Sequence, residues 1–300
     1  MPMSPSPSPC RTGYFYALGV VLVWSGFVLV SRLSGKSTLT PYDVIALRYA
    51  VAGIAILPLW RKHRTKLFEW RKIVLTLFGA LGFTLLAFNG FRNAPANHAA
   101  ILMQGFLPFS VALIAYFIAG EKPTRQRLAG LALIALGVIS MAIESFGTSG
   151  LTLLGDSLML GASFCWAIYT VLLRRWNLPP MDATIAVTLL AAILYLPIYA
   201  VALPQNFHDT SIEKLIFYAV YQGIIVAVIQ MICYTRAVAL LGATRLAMIT
   251  SCVPVLASLL AVPVLGEPLT MPIVIGLVFV VLGAYVGNRQ RRIRPIPPAE

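Results

Sequence analysis

Residues 108–137 read PFSVALIAYFIAGEKPTRQRLAGLALIALG, and residues 254–283 read PVLASLLAVPVLGEPLTMPIVIGLVFVVLG. The two stretches keep five positions in register at a spacing of 146 residues. Pro108, Gly120, Glu121, Gly130 and Gly137 return as Pro254, Gly266, Glu267, Gly276 and Gly283. Both copies lie in long apolar runs, so the pattern describes a duplicated membrane domain rather than a soluble repeat array.

Composition carries the same reading outward to the whole chain. The 300 residues are 59% hydrophobic and 11% charged, against roughly 25% charged in soluble proteins. A helix needs about 20 apolar residues to cross a bilayer. Ten segments meet that length: 13–32, 43–60, 73–92, 97–119, 125–144, 155–174, 183–203, 214–236, 243–265 and 271–288. The expected fold is an all-α integral membrane protein of ten transmembrane helices. Residues 1–12 form a disordered cytoplasmic tail, 13–148 a first five-helix repeat, 149–288 a second, and 289–300 a basic cytoplasmic tail.

The net charge of +13 belongs to topology and gives no nucleic-acid motif. With the N-terminus inside, the inner segments carry Arg11, the cluster 61–72, Lys122, Arg125, Arg127, Arg174, Arg175, Arg236, Arg245 and the arginines of the tail. The outer segments hold only Arg32, Lys36, Arg92 and Lys214, which is the asymmetry of the positive-inside rule. Five spans per copy is an odd number, so the second copy enters the membrane upside down and the halves become inverted repeats. Glu121 then faces the cytoplasm and Glu267 the outside.

The chain resembles the EamA-type family of the drug/metabolite transporter superfamily. Trp24 and Trp166 in spans 1 and 6, Pro108 and Pro254 in mid-helix, and the two Gly-Glu turns with their following glycines carry the resemblance. It implies a bacterial inner-membrane exporter of small metabolites: amino acids, aromatic or otherwise neutral, and organic cations. It implies a central cavity built from spans 1, 3, 4, 6, 8 and 9, with 2, 5, 7 and 10 outside. Within those spans the candidate substrate-binding residues are Trp24, Ser25, Asn89, His98, Gln104, Ser163, Trp166, Gln230 and Thr250. Gln222, Val226 and Gln230 form an i, i+4, i+8 stripe. Pro108 and Pro254 are expected as paired hinges, because an intrahelical proline removes one backbone hydrogen bond.

What is missing narrows the chemistry. None of the ten acidic residues falls at the middle of a span, which argues for exchange, facilitated diffusion or coupling through His98 rather than a carboxylate relay. Arg48, two turns into span 2, is read as snorkelling outward or pairing with Asp43. Cys10, Cys165, Cys233 and Cys252 are too scattered for a metal or disulfide framework, and no metal or cofactor is expected. The expected partners are the lipid bilayer and a small-molecule substrate, with no nucleic acid, the chain acting as a monomer or weak dimer. A channel or a membrane-embedded enzyme is the alternative.

Overall fold

The computed structural model describes residues 9–120, 124–146, 150–241, 246, 249–250 and 252–288. The segments 1–8 and 289–300, the residues Glu121, Lys122 and Pro123, and Thr244, Arg245 and Ser251 lie outside them. Among the described residues the chain is helical, with no strand. Helix α1 spans Pro9–Gly35, so it begins inside the segment read as a tail. It is followed by α2 (Pro41–His63), α3 (Trp70–Asn93) and α4 (Ala96–Ile118). Then come α5 (Arg125–Phe146), α6 (Gly150–Arg175) and α7 (Pro180–Ala202). Helix α8 runs from Ile212 through Gln230–Leu241, and α9 (Val253–Leu265) and α10 (Met271–Asn288) complete the order. Among the described residues, seven helices, α1 to α4 and α6 to α8, are long and apolar enough to cross a membrane; α9 and α10 are shorter apolar helices.

Local chemistry sets the helix ends. Thr40 and Asp43 form a reciprocal capping box at the start of α2, with Pro41 in its first turn. The carboxylate of Asp43 also receives the Tyr199 hydroxyl and the backbone N–H of Asn206 (3.2 Å). Gly120 and Gly266 close α4 and α9 in the left-handed conformation, at φ 68° and φ 67°. There a glycine avoids the Cβ penalty any other residue meets. The repeated glycine thus has one backbone geometry in both copies.

The prolines differ from the mid-helix placement expected of them. Pro108 lies at the start of a new helical stretch, Leu107–Ala119, and Pro254 at the start of α9. The residue capping each stretch bends alike: Phe106 at φ −79°, ψ −14° and Cys252 at φ −75°, ψ −17°. Proline tolerates a first turn because no intrahelical donor is needed there. Before Pro108 the chain winds as a π-helix over Ala100–Gly105, and the Phe106 N–H reaches back to the Ile101 carbonyl (2.8 Å). Further π-helical segments occupy Leu77–Gly82 of α3 and Ala219–Ile229 of α8, a geometry often placed at functional sites.

Helices α5 and α10 make the most extensive packing in the fold. Gly130 faces Gly283 and Gly137 faces Gly276, so closely that an added Cβ on Gly130 would lie 2.5 Å from the Gly283 carbonyl oxygen. The pairing is crosswise with respect to the sequence repeat: the first glycine of each copy meets the second of the other. The two helices therefore run antiparallel where they cross. The buried core elsewhere is aromatic and aliphatic, with Phe27 ringed by Phe83, Phe88 and Phe91 at 5.8–6.4 Å.

Candidate functional site: a cavity between the halves

The cavity begins with the two tryptophans. Trp24 of α1 and Trp166 of α6 border one side of a chamber of about 310 Å³, with Gln104, Pro108, Thr170, Tyr234, Thr250 and Pro254 around it. The chamber extends to Arg127 in the first turn of α5 and to the exposed Arg174 in the last turn of α6. Two smaller spaces, of about 30 Å³ and 60 Å³, continue inward past Trp166 and Gln230. Both are bordered by Arg48.

Aromatic packing fixes the walls. Trp24 leans on Tyr234 at 5.5 Å, and Trp166 sits 5.1 Å from Phe83 and 5.2 Å from Tyr169. Turned with its amide oxygen towards Trp24, Gln230 accepts from Trp24 Nε1 (2.6 Å) and donates to the Val226 carbonyl (3.2 Å). Gln222, one end of the polar stripe, is buried. It donates to Ser31 Oγ (3.0 Å) and accepts from Arg48 Nη1 (3.2 Å), tying α8 to α1 and α2.

The structure therefore brings Trp24, Gln104, Trp166, Gln230, Thr250, Pro108 and Pro254 to the cavity. Four other candidates stand elsewhere. Ser163 is buried, 3.3 Å from the Met103 carbonyl and 3.1 Å from Ser110 Oγ, beside the interruption in α4. Asn89 donates to the Leu85 carbonyl of its own helix (2.8 Å). Ser25 is buried away from these spaces, and its hydroxyl has no hydrogen-bond partner among the described residues. His98, expected as a substrate contact or coupling residue, is buried with Nδ1 2.9 Å from Asp156 Oδ1. The sequence placed Asp156 at the edge of span 6, and 58 residues of separation hid its partner.

Two expectations need correcting. Arg48 neither snorkels nor meets Asp43, because Asp43 is taken up by its capping box, Tyr199 and Asn206. Its guanidinium turns inward instead, 5.9 Å from the Phe27 ring. Nor are the helices expected outside the cavity excluded from it. Arg127 to Ile134 of α5 and Val280 to Gly287 of α10 border the large chamber, Arg48 of α2 borders both smaller spaces, and Thr184 and Thr188 of α7 border one. The small residues of α5 and α10 bring their backbones together and leave the edge of that pair facing the chamber.

At the opposite end of the bundle a charged cluster ties three segments together. Glu267 receives Arg32 Nε (2.7 Å) and the Ala96 N–H (2.7 Å), with Lys36 Nζ at 3.1 Å. Arg32 Nη1 also donates to the Phe91 carbonyl (2.7 Å). Burial raises the pKa of Glu267, but the Arg32 hydrogen bond, the Ala96 N–H, the Arg32 charge and Lys36 outweigh it. The carboxylate is held below its ordinary range.

Comparison with known proteins fits the cavity between two similar halves. The sequence matches the EamA-like transporter family twice, over residues 11–143 and again over 153–289. The chain belongs to that family. It is a multi-pass membrane transporter, not an enzyme, and the bilayer and a small-molecule substrate are its partners. It is 26% identical to a probable amino-acid metabolite efflux pump of Salmonella typhimurium, across 95% of this chain and 97% of that one. It is 27% identical to the threonine/homoserine exporter RhtA of the same species, across 76% and 75%. An uncharacterized transporter of Clostridium kluyveri is 24% identical across 92% and 93%. One crystal structure shares the fold with a TM-score of 0.64 at 20% identity, covering 93% of this chain and 97% of its own.

Proposed function

We propose that this EamA-like chain exports amino acids or closely related small metabolites across the bacterial inner membrane by alternating access. The observation that carries the reading is the asymmetry of the cavity. It reaches the bundle end bearing Arg127 and Arg174, while the other end is tied by Glu267, Arg32 and Lys36. With the basic segments cytoplasmic, this is an inward-open state closed on the outside.

The reading includes ten spans in two inverted five-helix repeats, with both termini cytoplasmic. The crosswise glycine pairing of α5 and α10 supports the inversion, and the family's double match supports the duplication. Inversion lets the two halves exchange conformations, so the closed end of one state becomes the open end of the other. Pro108 and Pro254 serve as the hinges, since each follows an equivalent bend at Phe106 and Cys252. Trp24, Gln104, Trp166, Gln230 and Thr250 contact substrate. The names of the efflux pump and of the threonine/homoserine exporter support amino acids as the cargo class.

Counterflow tests this. Proteoliposomes preloaded with unlabelled L-threonine, or another proteinogenic amino acid from a screened set, should accelerate entry of the labelled compound. Flux that grows linearly with concentration and shows no trans-stimulation would assign a channel instead and overturn the carrier reading.

A further inference from the structure

A half-buried arginine, with its Nε fully buried, is the feature of the cavity that the fold does not use up. Arg48 borders both inner spaces together with Trp166, Gln230 and Val226. Its side chain makes one hydrogen bond, from Nη1 to Gln222 Oε1 (3.2 Å), and lies 5.9 Å from the Phe27 ring. Its Nε is buried with no hydrogen-bond partner, and no carboxylate pairs with it among the described residues.

The energetics of that arrangement are one-sided. A guanidinium carries five N–H donors and keeps its charge in proteins. Withdrawn from water, such a charge is costly unless an anion and hydrogen-bond acceptors answer it. Gln222 supplies one neutral acceptor, and that amide is itself held by Ser31 (3.0 Å). Phe27 supplies a ring face, which attracts a cation without accepting its hydrogen bonds. Arg48 borders the space where the cavity narrows between the tryptophans.

We propose that Arg48 anchors a carboxylate of the transported molecule, so that the cargo class is a small carboxylic acid, with α-amino acids as members. A carboxylate answers both the charge and the planar fork of the guanidinium. The aromatic walls, Phe27, Phe83 and Trp166, then take the apolar part of the molecule. The inference rests on the transporter reading above and adds to it a charge requirement. Amides and amines of the same carbon skeleton lack the anion and leave Arg48 unanswered.

The test uses the purified full chain in detergent and in proteoliposomes. The probes are the proteinogenic L-amino acids, with L-threoninamide, L-phenylalaninamide and phenethylamine as their uncharged-carboxyl or carboxyl-free counterparts. Acids of the set should raise the melting temperature and support counterflow, while their amides and the amine do neither. Arg48→Gln should weaken binding of the active acid on the order of 100-fold, and Arg48→Lys, which keeps the charge but not the fork, by less. Arg48→Met should melt at or above the parent without ligand, since it removes an uncompensated charge; a purely structural arginine would lower that temperature. Counterflow of amides or amines equal to that of the acids, or unchanged acid affinity in Arg48→Gln, overturns the anchor and leaves the carrier intact. Absence of both stabilisation and counterflow across the whole panel overturns the anchor together with the amino-acid reading.

Discussion

Glu267 and Arg32 meet at 2.7 Å across 235 residues of sequence. The pair joins the turn after α9 to the last turn of α1, and the Ala96 N–H adds the start of α4 to the same carboxylate. Removing one member of a nearly buried pair leaves the other charge without its counterpart. Glu267→Gln is therefore expected to destabilise the purified protein by about 3 kcal/mol. It should also raise the reactivity of single cysteines placed at this end of the bundle. Exchanging the two charges, Arg32→Glu with Glu267→Arg, should recover part of the loss in a double-mutant cycle. Additive losses in the cycle would show that the pair does not hold this end closed.

The same carboxylate predicts a pH dependence. Its folded-state pKa is depressed, since Arg32, Ala96 and Lys36 outweigh the burial that opposes ionisation. A depressed carboxylate contributes stability above its unfolded pKa, about 4.3, and loses that contribution as pH falls through the lower folded value. The difference in stability between parent and Glu267→Gln should therefore stay constant from pH 8 to about pH 5 and shrink below about pH 4.3. A difference that already fades between pH 7 and 6 would contradict the assigned direction.

The glycine crossing makes a steric prediction. A methyl on Gly283 would sit 2.6 Å from the Gly130 carbonyl oxygen and 2.9 Å from the Ile134 nitrogen, both backbone atoms with little room to yield. Gly130→Ala and Gly283→Ala should each cost about 1–3 kcal/mol. The double variant should cost less than the sum, because both methyls force apart one contact. Gly150→Ala is the control: an added Cβ there has nothing within 4 Å. Thermal unfolding of the four proteins decides, and equal melting temperatures would mean that α5 and α10 do not pack this closely.

The backbone of this fold was more legible than its side-chain pairings. Pro108, Gly120 and Gly130 could be recognised because each has a counterpart 146 residues on, and repetition marks a position without needing its neighbours. Trp24 and Trp166 were found as cavity residues because large aromatic side chains in the middle of apolar spans are conspicuous. Arg48 was misread: its direction depends on how α2 meets α8, and Gln222 is 174 residues away. His98 failed for the same reason, since only packing reveals the Asp156 beside it. The prolines were located, but their role at the start of a helical stretch depends on the preceding π-helical turn, which no spacing announces.

Geometry divides the candidate residues into two groups that transport assays should separate. Gln104 and Trp166 border the chamber, so Gln104→Ala should lower kcat/KM about tenfold, the value of one hydrogen bond, with little change in unfolding temperature. Trp166→Ala should lower both, because it also removes the ring packed on Phe83 and Tyr169. Among the described residues Asn89 bonds only within α3, so Asn89→Ala should stay within about twofold of the parent. Ser163→Ala removes the hydroxyl beside the Met103 carbonyl. It should show mainly as a stability loss of about 1 kcal/mol. Equal transport losses at Asn89 and Gln104 would mean that the cavity seen here is not the path.

The buried His98–Asp156 pair offers a test of how transport is driven. Nδ1 and Oδ1 lie 2.9 Å apart between α4 and α6, and both side chains are buried. Reading His98 alone left no acidic partner for a proton; Asp156 provides one. If a pH gradient drives accumulation, the test is whether the proton passes through this buried pair near the ends of α4 and α6. His98→Gln and Asp156→Asn should then abolish accumulation driven by a pH gradient while counterflow at equal pH persists. Uptake by proteoliposomes with and without an imposed gradient measures both. Gradient-driven accumulation surviving in the two variants would remove the pair from the coupling mechanism and assign it to holding α4 against α6.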